Sequence, residues 1–194
     1  EKMWPRIFQD LGVKILNQSD PIAFETGEVN FSDPVKKLKT YNPDGICIST
    51  FPLEAGGIIK EIRSQGLKQP LLGASATATP TVIEIAGDAA EGLWAVSLFN
   101  KDDPSPKVQK YVAEFQKRCR QKYPEMTCEA EQYDVVVYDI LEFLVDIMKK
   151  QGIQNTPGQL QADRGKIRDG LANMKLWRGT AGMMAFDEKG DGIR

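Results

Sequence analysis

The chain has 194 residues, a net charge of −2 with both signs mixed, three cysteines and no histidine. That length holds one domain or two small ones with a buried core, and the charge balance argues against a nucleic-acid or membrane-surface partner. Without histidine the commonest general base, the usual triads and most zinc sites are gone. The remaining carboxylates, lysines and cysteines are not clustered, so no catalysis, metal or cofactor is expected.

No apolar run is long enough to span a bilayer. EKMWPRIFQD does not read as a signal peptide, and any leader is expected to have been removed. Trp4–Leu11 has the pattern of the end of an amphipathic helix, with Pro5 near its first turn and Gly12 closing it. Val13–Asn17 alternates as a strand does. SDPIAFETGEVNF follows as a loop, with Ile22, Phe24 and Phe31 available to pin it to the body. Ser32 reads as the N-cap of a helix through Tyr41, with Asp33 and Pro34 in its first turn; Lys36, Lys37 and Lys39 read as a solvated face.

The stretch Asn42–Gly92 is the organising unit. An apolar strand, Gly45–Thr50, runs into a helix, Leu53–Gln65, which stops at Gly66 before a second short strand, Pro70–Gly73. Both strands open into small-residue loops, Ser49–Pro52 and Ala74–Pro80, rich in hydroxyls and free of acidic or basic side chains. Ligands of open parallel sheets sit beyond the carboxyl ends of the strands, which makes these loops the first candidates for a site. Pro80 starts a short helix through Ala86, and GDAAEG leads to a strand, Leu93–Leu98.

Phe99–Pro106, FNKDDPSP, is polar and proline-bearing, a linker or hinge candidate. Beyond it the cadence changes to long helices: Lys107–Tyr123, Tyr133–Gln151 and a third within Gln159–Met174. A short strand, Gly182–Phe186, and the turn DEKGDG close the chain. The change of cadence predicts two lobes. Cys47, mid-strand, reads as a small buried hydrophobe. Cys119 and Cys128 flank a short loop that can bring their Cα atoms within disulfide reach; they pair or stay as thiols, and an oxidising compartment favours the pair.

FSDPVKKLKTYNPDGICIS, IIKEIRSQGLKQPLLG, IEIAGDAAEG, NKDDPSPKVQKYVAEF, EQYDVVVYDI and GTAGMMAFDEKGD together resemble the type I periplasmic binding proteins, and within them the branched-chain amino-acid-binding branch of ABC importers. The resemblance runs in order through nearly the whole chain. It implies a two-lobed α/β fold, parallel sheets flanked by helices, that closes over a small ligand and delivers it to a membrane permease. Members are roughly twice as long, so it also implies an internal fragment with an incomplete cleft and fold. Residues 1–99 would form most of the second lobe, 100–186 the helical part of the first, and 187–194 the start of a return crossover. A periplasmic or extracellular location follows, with a cell-envelope lipoprotein as one form. A ligand-sensing domain of a receptor or regulator with the same fold is the alternative.

The family pattern places ligand contacts in the same two loops. Ser49, Thr50 and Phe51 supply hydroxyls, loop N–H groups and an aromatic wall, although Phe51 can instead pack under Pro52. In the second loop, Ser75, Ala76 and Thr77 are the candidates. Amino-acid-binding relatives usually carry a carboxylate for the ligand's ammonium at the position of Ser75, and a buried ammonium without a charged partner is costly. The expected ligand is therefore a carboxylate, an aromatic acid or an amide rather than a standard amino acid. Glu131 could supply the missing charge, but it reads better as an acid at a helix N-terminus. Tyr133 faces the cleft or buttresses the hinge. DEKGDG is a turn rather than an EF-hand, because Lys189 stands at a ligand position. Gly56–Gly57 lies inside a helix, so it is no phosphate loop and fits close helix–sheet packing instead.

Overall fold

The computed structural model describes residues 3–193. The chain divides into two compact units, Glu1–Ser97 and Leu98–Arg194.

The first unit begins with α1 (Met3–Asp10), followed by a long irregular stretch to α2 (Ser32–Thr40). β1 (Ile46–Ile48), α3 (Pro52–Ser64), β2 (Leu71–Gly73), α4 (Pro80–Ala86) and β3 (Leu93–Ala95) then alternate. The strands form one parallel sheet in the order β1-β2-β3, with Ile46 opposite Leu71 and Leu71 opposite Leu93. α3 ends where Gly66 takes φ +83°; its N–H and that of Leu67 return to the carbonyls of Arg63 and Ile62, a left-handed closure that glycine adopts at little cost. The core gathers Val35 of α2, Ile59 and Ile62 of α3, Val82 of α4, and Ile46, Ile48 and Leu71 of the sheet. Phe31 is buried and Phe24 packs on it edge-on, ring centroids 5.1 Å apart, so these two aromatics pin the loop before α2.

Three expectations change here. Val13–Asn17 is irregular, because alternation makes a strand only where a neighbouring strand takes up its backbone hydrogen bonds. Ser32 is the first helical residue rather than the cap. Phe31 holds the cap position, and the Ser32 N–H is met by Asn30 Oδ1 at 3.1 Å. Cys47 is exposed, not buried: β1 alternates, so Ile46 and Ile48 face the helices while Cys47 points to the other side of the sheet. What burial it has raises its thiol pKa.

Gly56 and Gly57 do permit a close approach, but to other partners than the sheet. A β-carbon on Gly56 would lie 2.6 Å from Ile85 Cβ of α4, and one on Gly57 2.7 Å from Phe31 Cε2. Gly57→Ala is expected to lower stability by about 1–3 kcal/mol through overpacking, read as a fall in the chemical-denaturation midpoint at unchanged slope.

The second unit packs α5 (Pro106–Lys122), α6 (Gln132–Lys150) and α7 (Leu160–Ala172) with β4 (Trp177–Arg178), β5 (Met183–Phe186) and β6 (Gly192–Ile193). Its strands pair antiparallel, β4 with β5 and β5 with β6; the sequence pattern showed only β5 among them, because two residues are too short to carry a period. Phe143, Ile147 and Trp177 form the core, with Phe143 and Trp177 centroids 5.4 Å apart. DEKGDG is a turn in which Asp187 Oδ1 accepts the N–H groups of Lys189 and Asp191 at 2.9 and 2.8 Å.

Cys119 and Cys128 are joined by a disulfide, Cα atoms 5.6 Å apart, tying the last turn of α5 to the segment before α6. A loop of this length corresponds to about 2–3 kcal/mol in the chain-entropy picture. Reducing the protein is therefore expected to lower its guanidinium midpoint, and a Cys119→Ser/Cys128→Ser variant to match the reduced form. On α6, Tyr138 donates its hydroxyl proton to Glu142 Oε1 at 2.7 Å. That bond, with some burial, pushes its pKa up to about 12. The fold thus favours the neutral phenol. The stability involved is complete below the ordinary tyrosine pKa, about 10, and is lost as pH rises from there toward 12. Melting temperatures between pH 9 and 12 are expected to fall more steeply for the parent than for Tyr138→Phe.

Candidate functional site

The first unit brings five of the six candidate residues from its two loops to one accessible edge. The Ala74 N–H donates to the Ile48 carbonyl at 3.0 Å, so the residues after β1 and after β2 emerge side by side at the carboxyl ends of neighbouring strands. After β1, Ser49 is exposed and Thr50 half-buried. Phe51 takes an extended conformation at the head of α3, its carbonyl accepting the Ala55 N–H at 2.9 Å. The residue is 63% exposed, so it does not pack away as core; a proline at the first helical position turns the chain directly behind it.

After β2, Ser75–Thr77 form one turn of 3-10 helix. Ser75 and Ala76 are half-buried. Thr77 differs from the others: it is fully buried, and its hydroxyl donates to the Ala74 carbonyl at 2.7 Å. This side chain therefore shapes the loop rather than presenting a group at its surface. Thr79, at the head of α4, was not singled out by the sequence reading. It is buried, and its hydroxyl has no hydrogen-bond partner among the described residues. A threonine directly before a helix-starting proline is the signal that marks the position.

The edge is electrically neutral. The nearest carboxylate along the chain, Glu54 in the first turn of α3, is buried, and its Oε1 accepts the Gly27 N–H at 2.7 Å. It anchors the loop at Gly27 and sets negative charge against the positive end of the helix. A hollow of about 500 Å³ lies elsewhere, between the Ala23–Asn30 loop and the start of α2. Of the carboxylates that line it, Glu28 accepts the N–H groups of Val29 and Asn30, and Asp33 pairs with Lys36.

Tyr133 belongs to the second unit, half-exposed in the first turn of α6. Glu131 caps that helix. Its side chain meets the N–H three residues on, while Asp134 Oδ2 accepts the Glu131 N–H at 3.0 Å, a reciprocal capping box. Its role as an acid at a helix N-terminus is therefore direct. Among the buried carboxylates that the sequence reading missed is Asp139. Oδ1 and Oδ2 accept the N–H groups of Thr180 and Ala181, each at 2.7 Å, holding the turn between β4 and β5.

A family model for periplasmic binding proteins matches residues 2–193. The chain belongs to the periplasmic binding protein family. Among curated proteins, this periplasmic binding protein chain is 27% identical over 165 residues to the Leu/Ile/Val-binding protein homolog 1 of Brucella abortus, covering 85% of the chain and 40% of that protein. Among solved structures, the leucine-binding protein LivK of Thermotoga maritima superposes with a TM-score of 0.77 at 26% identity, covering 98% of this chain and 49% of that one. A solute-binding protein of an ABC transporter from R. palustris, solved with 4-hydroxybenzoate, shares the fold at a TM-score of 0.74 and 17% identity, over 96% of this chain and 48% of that one. The chain thus spans about half the length of these relatives, which are named as binding proteins. No helix among the described residues is long and apolar enough to cross a membrane.

Proposed function

We propose that the chain is part of the extracytoplasmic solute-binding component of an ABC importer. In this reading the edge formed by Ser49, Thr50, Phe51, Ser75 and Ala76 holds a small molecule that lacks an ammonium group. The observation that carries the ligand class is the neutrality of both loops together with the engagement of Glu54 by Gly27. An ammonium set against this edge would lose its hydration without a charged partner. A carboxylate, an aromatic acid or an amide would instead find hydroxyls, loop N–H groups and the open ring of Phe51. The fold tolerates such a ligand, as the 4-hydroxybenzoate of the R. palustris protein illustrates.

In the same reading, Glu1–Ser97 is most of the second lobe and the helical unit is part of the first. Lobe closure over the ligand shifts the population toward the form that the permease takes up. The Cys119–Cys128 disulfide supports an oxidising compartment, periplasmic or extracellular. Calorimetry of the full-length protein with a panel of amino acids, aliphatic and aromatic carboxylates and amides tests the proposal. Micromolar binding of an acid or amide is the expected result. Tight binding of leucine and no response to the others would overturn the ligand class.

A further inference from the structure

Two asparagines of the first unit, Asn17 and Asn30, are followed two positions later by a serine, Ser19 and Ser32. An asparagine, any residue but proline, then a serine is the acceptor pattern of N-linked glycosylation, a surface modification of chains outside the cytoplasm. Bacterial oligosaccharyltransferases ask in addition for an acidic residue two positions before the asparagine, which a cationic group of the enzyme holds. Asn30 meets this demand with Glu28, in the run Glu28-Val29-Asn30-Phe31-Ser32, whereas Asn17 has Ile15 at that place.

The structure leaves the reacting atom of Asn30 available. Its Oδ1 accepts the Ser32 N–H at 3.1 Å, while Nδ2, the atom that would carry a sugar, has no hydrogen-bond partner among the described residues. Substitution at Nδ2 therefore keeps the hold of Asn30 on the head of α2. Asn30 is exposed, and Val29 before it is 89% exposed. Asn30 also lines the hollow of about 500 Å³ together with Glu25 and Asp33. That hollow gives a first sugar room, and its carboxylates can accept the sugar's hydroxyl protons.

We propose that Asn30 is an acceptor of N-linked oligosaccharide, selected by Glu28 and Ser32, with a lipid-pyrophosphate-linked oligosaccharide as donor. In the transfer, Nδ2 bonds to the anomeric carbon of the first sugar and gives up one proton to a base of the transferase. The bond from that carbon to the pyrophosphate oxygen breaks, and the lipid pyrophosphate leaves with the electron pair. Phe31, between the acceptor and Ser32, is 4% exposed and packs edge-on against Phe24. The five residues cannot lie extended in a transferase while that ring is buried, so the transfer precedes folding of the unit, during export. The inference rests on the extracytoplasmic location proposed above and not on the ligand reading.

The test exports the full-length protein in a bacterial host that carries such a transferase and its lipid-linked oligosaccharide, and maps the glycopeptides by mass spectrometry. Formation of the Cys119–Cys128 disulfide in the same sample shows that the chain has left the cytoplasm, so a failure then falls on the acceptor and not on the location. The expected result is an occupancy at Asn30 at least tenfold above that at Asn17. It should be kept in Glu28→Asp and lost in Glu28→Gln and Ser32→Ala. Because the transfer precedes folding and is read on peptides, a variant that folds poorly still reports. Three results would overturn the proposal: a bare Asn30 in the exported parent, equal occupancy at Asn17 and Asn30, and parent-level occupancy in Glu28→Gln.

Discussion

Asp139→Ala lowers the stability of the second unit by about 3 kcal/mol or more, with a melting temperature lower by roughly 10–20 °C. The carboxylate is buried on α6, and each of its oxygens accepts a backbone N–H at 2.7 Å, from Thr180 and Ala181. Alanine leaves both donors unpaired, and each buried unpaired group costs about 1–3 kcal/mol. Gly179 is what lets the turn approach the carboxylate this closely, since a β-carbon there would lie 2.6 Å from Asp139 Cγ and from Trp177 Cζ3. Asp139→Asn keeps one acceptor of the right shape and is expected to lose about half as much. Thermal unfolding of the three proteins at pH 7 checks this. An alanine variant within 0.5 kcal/mol of the parent would mean that water replaces the carboxylate freely.

The second large effect is on ligand choice. Leucine is expected to bind the full-length protein at least a hundredfold more weakly than a carboxylate of the same size without the amine. An ammonium left unpaired at a desolvated edge costs several kcal/mol, and 1.4 kcal/mol corresponds to a factor of ten. Ser75→Glu should narrow that gap by improving leucine and weakening the carboxylate, because the new charge attracts one ligand and repels the other. Phe51→Ala should weaken both by about tenfold through lost ring contact, with no change in their ratio. Titration calorimetry on the parent and both variants separates the two effects. Unchanged ratios in Ser75→Glu would place the ligand away from this loop.

Much of the first unit was legible from its residues. Pro80–Ala86 is a helix over the same residues, and the ends of α3 and β2 differ by one residue at most, because proline at the first position and glycine past the last mark helix limits locally. What failed was whatever depended on a neighbour. Val13–Asn17 has strand-like alternation but no ladder, and the apolar run around Cys47 gave no sign that only one side of the sheet is covered. Ser32 looked like a cap, yet the cap position falls one residue earlier, with Asn30 meeting the Ser32 N–H. At the site, the hydroxyl-rich loops were visible in the sequence. The distinction between half-buried Ser75 and the inward-turned Thr77 was not, since both are small hydroxyl residues in the same run.

The exposed apolar surface follows the same division. The apolar residues of α6 are spaced at the helical period. Only the structure shows that Val135, Phe143 and Ile147 are inside while Val137, Ile140 and Leu141 remain outside. A period says which residues lie together on a helix; it does not say what lies against them.

Sequence alone determined the alternating strand and helix order of the first unit, the neutral character of its two loops, and the family whose phrases it shares. These properties are written in local spacing and residue type. Tertiary structure decided which hydroxyls stay accessible, that Asp139 holds a turn some forty residues away, that Cys119 and Cys128 are joined, and that Cys47 lies on an open face. Each of these depends on which distant backbone or side chain arrives beside a residue, and that information is carried by packing rather than by any single stretch of chain.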